Sequence, residues 1–211
     1  MNYVHRTVTA ALATAALAAT SVLALSPAAQ AAPAKGKPTS LAAVLAADGS
    51  KFDKKWGDFD ILDNAVTAVL EAKPNSAVGV LAKPRTKLTA FLPTDRAFRV
   101  LATQLTGEKP RSEKATFGAL AEAAGVDTIE TVLLYHVVPG KTLGAGKVAV
   151  DGKKLKTAQG GTITVNVTKK AVSLIDADPD LRNPRVVVTN INKGNPQIAH
   201  AIDRVLLPVD L

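Results

Sequence analysis

The 211-residue sequence changes its hydrophobic pattern at Tyr135. Before this residue, apolar side chains recur at helical spacing, most clearly over residues 60–72. After it, short runs alternate between apolar and polar residues, as in residues 162–168, which is typical of half-buried β-strands. Because helices precede the strands and do not alternate with them, the pattern favours an α+β fold over a parallel βαβ array.

Apolar periodicity, capping residues and turn signals place the individual elements. Ser40 and Thr94 are positioned to begin helices, Asp95 stands in the first turn after Thr94, and Gly125 is positioned to end a helix. The predicted helices cover residues 41–47, 60–72, 95–105, 112–124 and 127–134. The predicted strands cover residues 87–92, 147–150, 154–157, 162–168, 171–175, 185–189 and 198–205, with hairpin turns at residues 160–161 and 169–170.

The N-terminal region has the order of features of a secretory signal peptide. Residues 1–6 carry one Arg, residues 7–25 are uncharged and rich in Ala and Leu, and Ala29-Gln30-Ala31 offers small residues for cleavage. We expect a cut after Ala31, with Ala32 as the next choice; the alternative is an uncleaved anchor. The predicted organisation is a signal peptide over 1–31, a flexible Pro- and Lys-containing linker over 32–39 and one domain over 40–211.

Composition limits the chemistry of the chain. It has no Cys, which excludes disulfides and thiolate metal sites, and its length allows a core that needs neither. The formal net charge is +8, with basic groups at residues 83–87, 153–156 and 169–170. These groups suit either an acidic wall polymer or glycosaminoglycan, or a solvated surface. Aromatic residues make up only 4% of the chain, so we expect no nucleic-acid partner.

Three motifs in order resemble the signatures of the fasciclin-like domain family. Residues 89–98 (TAFLPTDRAF) resemble the first signature, residues 133–140 (LLYHVVPG) the central Tyr–His motif, and residues 198–208 (IAHAIDRVLLP) the closing one. The resemblance covers about residues 41–208. It implies an α+β wedge in which helices pack on a twisted, antiparallel-rich β-sheet sandwich, and an extracellular role in adhesion or binding.

The resemblance also implies binding residues. In animal members the Tyr–His motif and a nearby Asp–Ile dipeptide have been linked to integrin recognition. Tyr135 and His136 match the first, and Asn190-Ile191 stands at the place of the second, so an Asn replaces the charged residue. The following residues, 192–197, form a longer and more polar loop than the family's Asn–Gly turn.

Physical interpretation of the same residues favours structural roles. His136 and His200 lie in apolar runs, which predicts buried rings bonded to backbone. Asp95 is expected to stabilise the start of its own helix, and Asp203 to make a contact within the fold. Residues 176–180 (DADPD) have the acid spacing of a calcium loop but lack its Gly and Glu, which leaves a solvated turn or a looser calcium site.

The sequence therefore predicts a secreted binding or adhesion module without catalytic activity, cofactor or metal. No nucleophile-elbow, zinc-protease or phosphate-loop pattern is present. The expected partner is an extracellular protein or a cell-surface or wall glycan, with no stable membrane insertion after cleavage. Two alternatives remain: charge-driven binding of a polyanion, and an enzyme that uses His136 with a carboxylate. Asn166-Val167-Thr168 is a glycosylation sequon inside a predicted strand.

Overall fold

A computed structural model describes residues 36–209 of the chain. The predicted signal peptide, its cut site and the first part of the predicted linker lie outside these residues. Residues 36–39 have no regular secondary structure and lead into the first helix. Within residues 36–209, no helix combines the length and the apolar character needed to cross a bilayer.

The chain forms five α-helices, one 3₁₀ helix and seven strands within the described residues. The helices are α1 (Leu41–Asp48), α2 (Asp60–Ala72), the 3₁₀ helix (Ala77–Ala82), α3 (Asp95–Thr106), α4 (Glu113–Tyr135) and α5 (Ala145–Val148). The strands are β1 (Leu88–Pro93), β2 (Val137–Pro139), β3 (Lys154–Lys156), β4 (Thr162–Val167), β5 (Val172–Ile175), β6 (Val186–Ile191) and β7 (Gln197–Ile202). The order of helices followed by mostly strands agrees with the predicted α+β class.

Most local predictions hold. Ser40 begins α1 and its hydroxyl accepts a hydrogen bond from the Ala43 N–H at 3.1 Å. Gly125 adopts φ 68° and ψ 168°, a non-helical conformation that interrupts α4, so the predicted break between two helical segments is confirmed. Both predicted hairpin turns join antiparallel strand pairs, β3 with β4 and β4 with β5.

Two predicted strands are wrong in type or extent. Residues 147–150 do not form a strand: the first two end helix α5, and the last two have no regular secondary structure. The first N–H of α5 (Ala145) donates to the Asn190 side chain at 2.9 Å. The last strand ends at Ile202 and not at Val205. Asp203 turns the chain there, since its N–H donates to the Arg185 carbonyl at 3.0 Å and its carboxylate accepts from the Arg185 N–H at 2.7 Å.

The strands form two sheets. The four-stranded sheet has the order β2-β1-β7-β6, and its central pair, β1 and β7, is parallel while the outer pairs are antiparallel. The three-stranded sheet, β3-β4-β5, is fully antiparallel. The parallel pair joins strands more than 100 residues apart in sequence, so no local pattern could reveal it.

Two hydrophobic clusters occupy the interior. One joins α1, α2, α3 and the end of α4 to one face of the four-stranded sheet, with Leu41, Val69 and Leu88 completely buried. The other lies between the two sheets and includes Phe91 of β1 and Ile163 of β4. The helices thus cover one face of the larger sheet and the smaller sheet covers the other, which is the predicted helix-flanked sandwich.

Candidate binding surface

Tyr135 and His136 lie in the interior, where α4 passes into β2. Tyr135 is 1% exposed and its hydroxyl donates to the Thr162 carbonyl at 3.1 Å, which connects α4 to β4.

His136 is 4% exposed; its Nδ1–H donates to the Val132 carbonyl at 2.7 Å and its Nε2 accepts from the Leu206 N–H at 2.9 Å. These two bonds fix the tautomer. Burial lowers the pKa of His136 to about 4. The predicted burial of His136 is confirmed.

Asn190 and Ile191 lie at the opposite edge of the four-stranded sheet. β2 and β6 are the two edge strands, with β1 and β7 between them, so the two dipeptides are about 14 Å apart across the sheet. Asn190 adopts φ 62° and its side chain accepts the N–H that begins α5. Both residues are partly exposed. The structure therefore does not bring the four predicted binding residues together, and their role in binding stays a prediction.

A cluster of exposed cations occupies the end of the four-stranded sheet beside Asn190 and Ile191. Four chain segments meet there: residues 36–39, 83–87, 140–142 and 192–197. They contain no Asp or Glu. We call this surface the basic end; its exposed cationic residues are Lys37, Lys83, Arg85, Lys87, Lys141 and Lys193.

Backbone pairing brings these segments together. The Gly140 N–H donates to the Lys87 carbonyl at 2.8 Å, and the Thr142 hydroxyl donates to the Pro196 carbonyl. In the polar loop, the Asn192 side-chain amide donates to the Thr39 carbonyl, and the Asn195 side-chain oxygen accepts from the Thr39 N–H, at 2.9 Å each. The long polar loop thus serves as a junction between segments that are far apart in sequence.

Buried Gln197 holds together the segments beneath the exposed cations of the basic end. Its side chain is completely buried at the start of β7. The Oε1 atom accepts from the Leu41 N–H at 2.7 Å, and Nε2 donates to the carbonyls of Val80 and Lys83 at 2.9 and 2.8 Å. One amide therefore connects α1, the 3₁₀ helix and β7, and uses both its donors and its acceptor.

A second basic surface, the lysine face, lies on the three-stranded sheet. Lys154 and Lys156 alternate with buried Leu155 on β3, and their exposed side chains lie on the side opposite the core. Lys169 and Lys170 form the exposed turn between β4 and β5. The two predicted lysine groups therefore share one sheet, whereas residues 83–87 belong to the basic end.

The remaining polar residues singled out from the sequence serve the fold. His200 is buried and its Nε2–H donates to the Leu143 carbonyl at 2.9 Å, as predicted. Asp203 binds the Arg185 N–H and lies 3.7 Å from Arg182, so its predicted contact within the fold is confirmed. The prediction for Asp95 is wrong in its target: its carboxylate accepts from the Asp60 and Ile61 N–H groups, and so caps α2 and not its own helix.

The acidic turn at residues 176–180 is not the solvated turn expected from the sequence. Asp178 is 4% exposed and accepts from the N–H groups of Asp180 and Leu181, at 2.9 and 2.7 Å. Asp176 accepts from the Leu207 N–H at 2.9 Å, and burial raises its pKa to about 6. Asp176 therefore holds the closing segment of the fold next to β5, whereas Asp178 stabilises the turn itself.

An apolar cavity of about 450 Å³ lies among α2, α3, α4 and residues 205–209. Phe98, Leu101 and Phe117 contribute to its walls. Its volume falls in the range of small-molecule sites. His136 also borders it, but both ring nitrogens of His136 are bonded to backbone, so the cavity offers mainly apolar surface.

Comparison with known proteins agrees with this architecture. The family model of the fasciclin domain matches residues 63–208 of the sequence, which is more than half of the chain. A solved FAS1 domain pair from the insect cell adhesion molecule fasciclin I has a similar fold, with a TM-score of 0.53 and 15% identity. That match covers 80% of this chain, whereas the chain spans about half (51%) of the solved one. No curated protein gives a significant match. The family match, with three signatures in order on the expected α+β sandwich, shows that the chain belongs to the fasciclin domain family.

Proposed function

We propose that this protein is a secreted, non-catalytic binding module of the adhesion type, which contacts an anionic extracellular partner through the basic end. Fasciclin domains are generally adhesion or binding modules. The N-terminal leader pattern supports export. The partner class is an acidic cell-surface or wall glycan, or an extracellular protein with an acidic surface.

The observation that carries the proposal is the convergence of six exposed cationic residues on segments without a single acid. Such a surface attracts an anionic partner over a Debye length and orients it before contact. Because Gln197 and the polar loop hold the segments together, little backbone ordering is needed on binding. Asn190 and Ile191, both predicted as binding residues, lie beside this surface and are partly exposed.

The geometry around Tyr135 and His136 supports a positioning role for both. Their side chains are almost completely buried, so a partner reaches them only after the core opens. A catalytic role for His136 would require breaking its bond to Val132 or to Leu206, and its pKa of about 4 makes it a weak base. These features favour a binding module over the enzyme alternative.

A salt titration tests the proposal. Purified residues 32–211 are titrated with isolated wall glycan, intact producing cells and a panel of matrix proteins, from low to high salt. We expect saturable binding to one target whose affinity falls with salt but levels off at a measurable value, because local contacts remain when long-range charge is screened. Affinity that falls without limit on a log–log plot would support the charge-driven polyanion alternative. No binding to any target would contradict the adhesion role.

A further inference from the structure

Three carboxylates from separate elements meet near the start of α2. Asp58 precedes α2, Asp95 begins α3 and Glu113 begins α4. Each offers an oxygen within 4.8 Å of an oxygen of the other two. Asp95 and Glu113 are both 0% exposed. We call these three residues the carboxylate cluster.

Two oxygens of the cluster have no protein partner. Within residues 36–209, the buried atoms Glu113 Oε1 and Asp58 Oδ1 accept no hydrogen bond. The other Glu113 oxygen accepts from the Asp53 N–H, so the side chain is held in place while Oε1 is left unsatisfied. A buried acceptor without a partner destabilises the folded state, and more so when it is charged. The fold therefore holds unpaired acceptors in a buried, acidic location.

The closest cation pairing is made by a neighbour of the cluster, Asp53, which lies 3.1 Å from Lys55. Among the described residues, no salt bridge joins Asp58, Asp95 or Glu113 to Lys or Arg. The nearby Arg99 guanidinium lies 4.1 Å from the Trp56 ring centre, and its Nε–H donates to the Pro110 carbonyl. Carboxylates whose oxygens lie within 4.8 Å of one another repel strongly when all are charged, because burial weakens the screening by water. Either a proton or a cation must balance the cluster.

We propose that the carboxylate cluster is a binding site for a hard divalent cation, Ca²⁺ in the first instance. Carboxylate oxygens are the preferred ligands of this ion, and waters complete its coordination. Asp53 and Asp60 extend the site, since they also offer oxygens within 4.8 Å of one another and of Asp58. The bound ion would join the loop before α2 to the first turns of α3 and α4.

The competing explanation is a proton shared within the cluster. Burial, together with the neighbouring Asp58, raises the pKa of Asp95 to about 8, and burial also raises the pKa of Glu113. Without a cation, the folded state therefore retains protons that the unfolded chain has released. Stability from this source is complete below pH 3.8 and is lost as pH rises through about 8. A bound cation would replace the proton and remove this loss.

Terbium luminescence gives a direct test. Trp56, the single tryptophan of the sequence, lies between Asp53 and Asp58 and would sensitise Tb³⁺ bound at the cluster. We expect saturable luminescence in the full mature protein, displaced by Ca²⁺ in the range of extracellular sites, about 0.1–1 mM. Glu113→Gln and Asp58→Asn should each lower the affinity at least tenfold. The control, Asp178→Asn, changes a buried carboxylate with an unpartnered oxygen outside the cluster and should leave the affinity unchanged.

Thermal unfolding provides a second measurement that needs no variant. At pH 8, about 5 mM Ca²⁺ should raise the Tm of the wild-type protein by about 2–5 °C relative to EDTA. Absence of both saturable Tb³⁺ luminescence and a Ca²⁺-dependent Tm would overturn the proposal and assign the shared proton to the cluster. Equal loss of luminescence in Asp178→Asn would also overturn it.

Discussion

Replacing His136 with Ala is expected to lower the free energy of unfolding by about 4 kcal/mol. The ring connects the Val132 carbonyl, in the last turn of α4, to the Leu206 N–H in the closing segment. Its removal leaves the buried Leu206 N–H without a partner, reduces the bonds of the Val132 carbonyl to the backbone N–H of residue 136 at 3.3 Å, and opens a void next to the apolar cavity. Urea unfolding of the wild type and the variant at pH 7 measures the difference.

A His136→Phe variant separates hydrogen bonding from packing. Phe fills most of the space but satisfies neither Val132 nor Leu206, so the loss should remain about 3 kcal/mol. A His136→Phe protein as stable as the wild type would contradict the account of the two bonds.

The pH dependence gives an independent check of the buried imidazole. Because burial lowers the pKa of His136 to about 4 from 6.5, the folded state favours the neutral ring. Its contribution to stability is complete above pH 6.5 and is lost as pH falls through 4. The stability difference between the wild type and His136→Phe should therefore shrink by about 3 kcal/mol from pH 7 to pH 4. A constant difference would show that folding leaves the pKa of the ring unchanged, as expected for an exposed imidazole.

Replacing Gln197 with Leu is expected to cost about 3 kcal/mol, since the buried Leu41 N–H loses its acceptor and two backbone carbonyls each lose one of their two donors. The Leu41 N–H would have no acceptor in the space that Leu fills, whereas the carbonyls of Val80 and Lys83 would keep only their bonds to backbone N–H groups of the same turn. The start of α1 and the segment leading into residues 83–87 should loosen first. Hydrogen exchange of the Leu41 amide, together with urea unfolding, measures both effects.

Gln104 provides the matched control for this substitution. It is an exposed residue of α3, so Gln104→Leu makes the same chemical change without removing a buried partner. We expect a stability change within about 0.5 kcal/mol. If Gln197→Leu were equally mild, the amide would not be the anchor of the basic end.

Local physical chemistry predicted the elements whose signals are contained in a few residues. The helical period of α2 and the alternation of β4 each reflect a face buried along one continuous segment, and Gly125 marks a backbone conformation that other residues avoid. Helix α5 could not be predicted in this way. Its first N–H is satisfied by Asn190, 45 residues further along the chain, and its sequence alone resembles a strand.

The functional surfaces also combine residues that the sequence identified with residues that only the folded chain brings together. Residues 83–87 are visibly basic in the sequence. Lys141 and Lys193 lie beside them only because β2 and β7 both pair with β1, which places the residues after β2 and before β7 at the same end of the sheet. The carboxylate cluster has the same origin, since Asp58 precedes α2, Asp95 and Glu113 begin α3 and α4, and the three meet only in the folded chain. Motif resemblance located Tyr135 and His136, whereas burial showed that they support the fold.

Two charge-matched variants test most directly whether the basic end is the contact surface. The first carries Lys87→Glu, Lys141→Glu and Lys193→Glu, and the second carries Lys154→Glu, Lys156→Glu and Lys170→Glu on the lysine face. Both lose the same formal charge, so a difference between them reports position and not net charge. The measured quantity is the Kd for isolated wall glycan, or for the target that the salt titration identifies. We expect at least tenfold weaker binding for the basic-end variant and less than threefold for the lysine-face variant. Equal weakening in both variants, or a loss confined to the lysine face, would contradict the account.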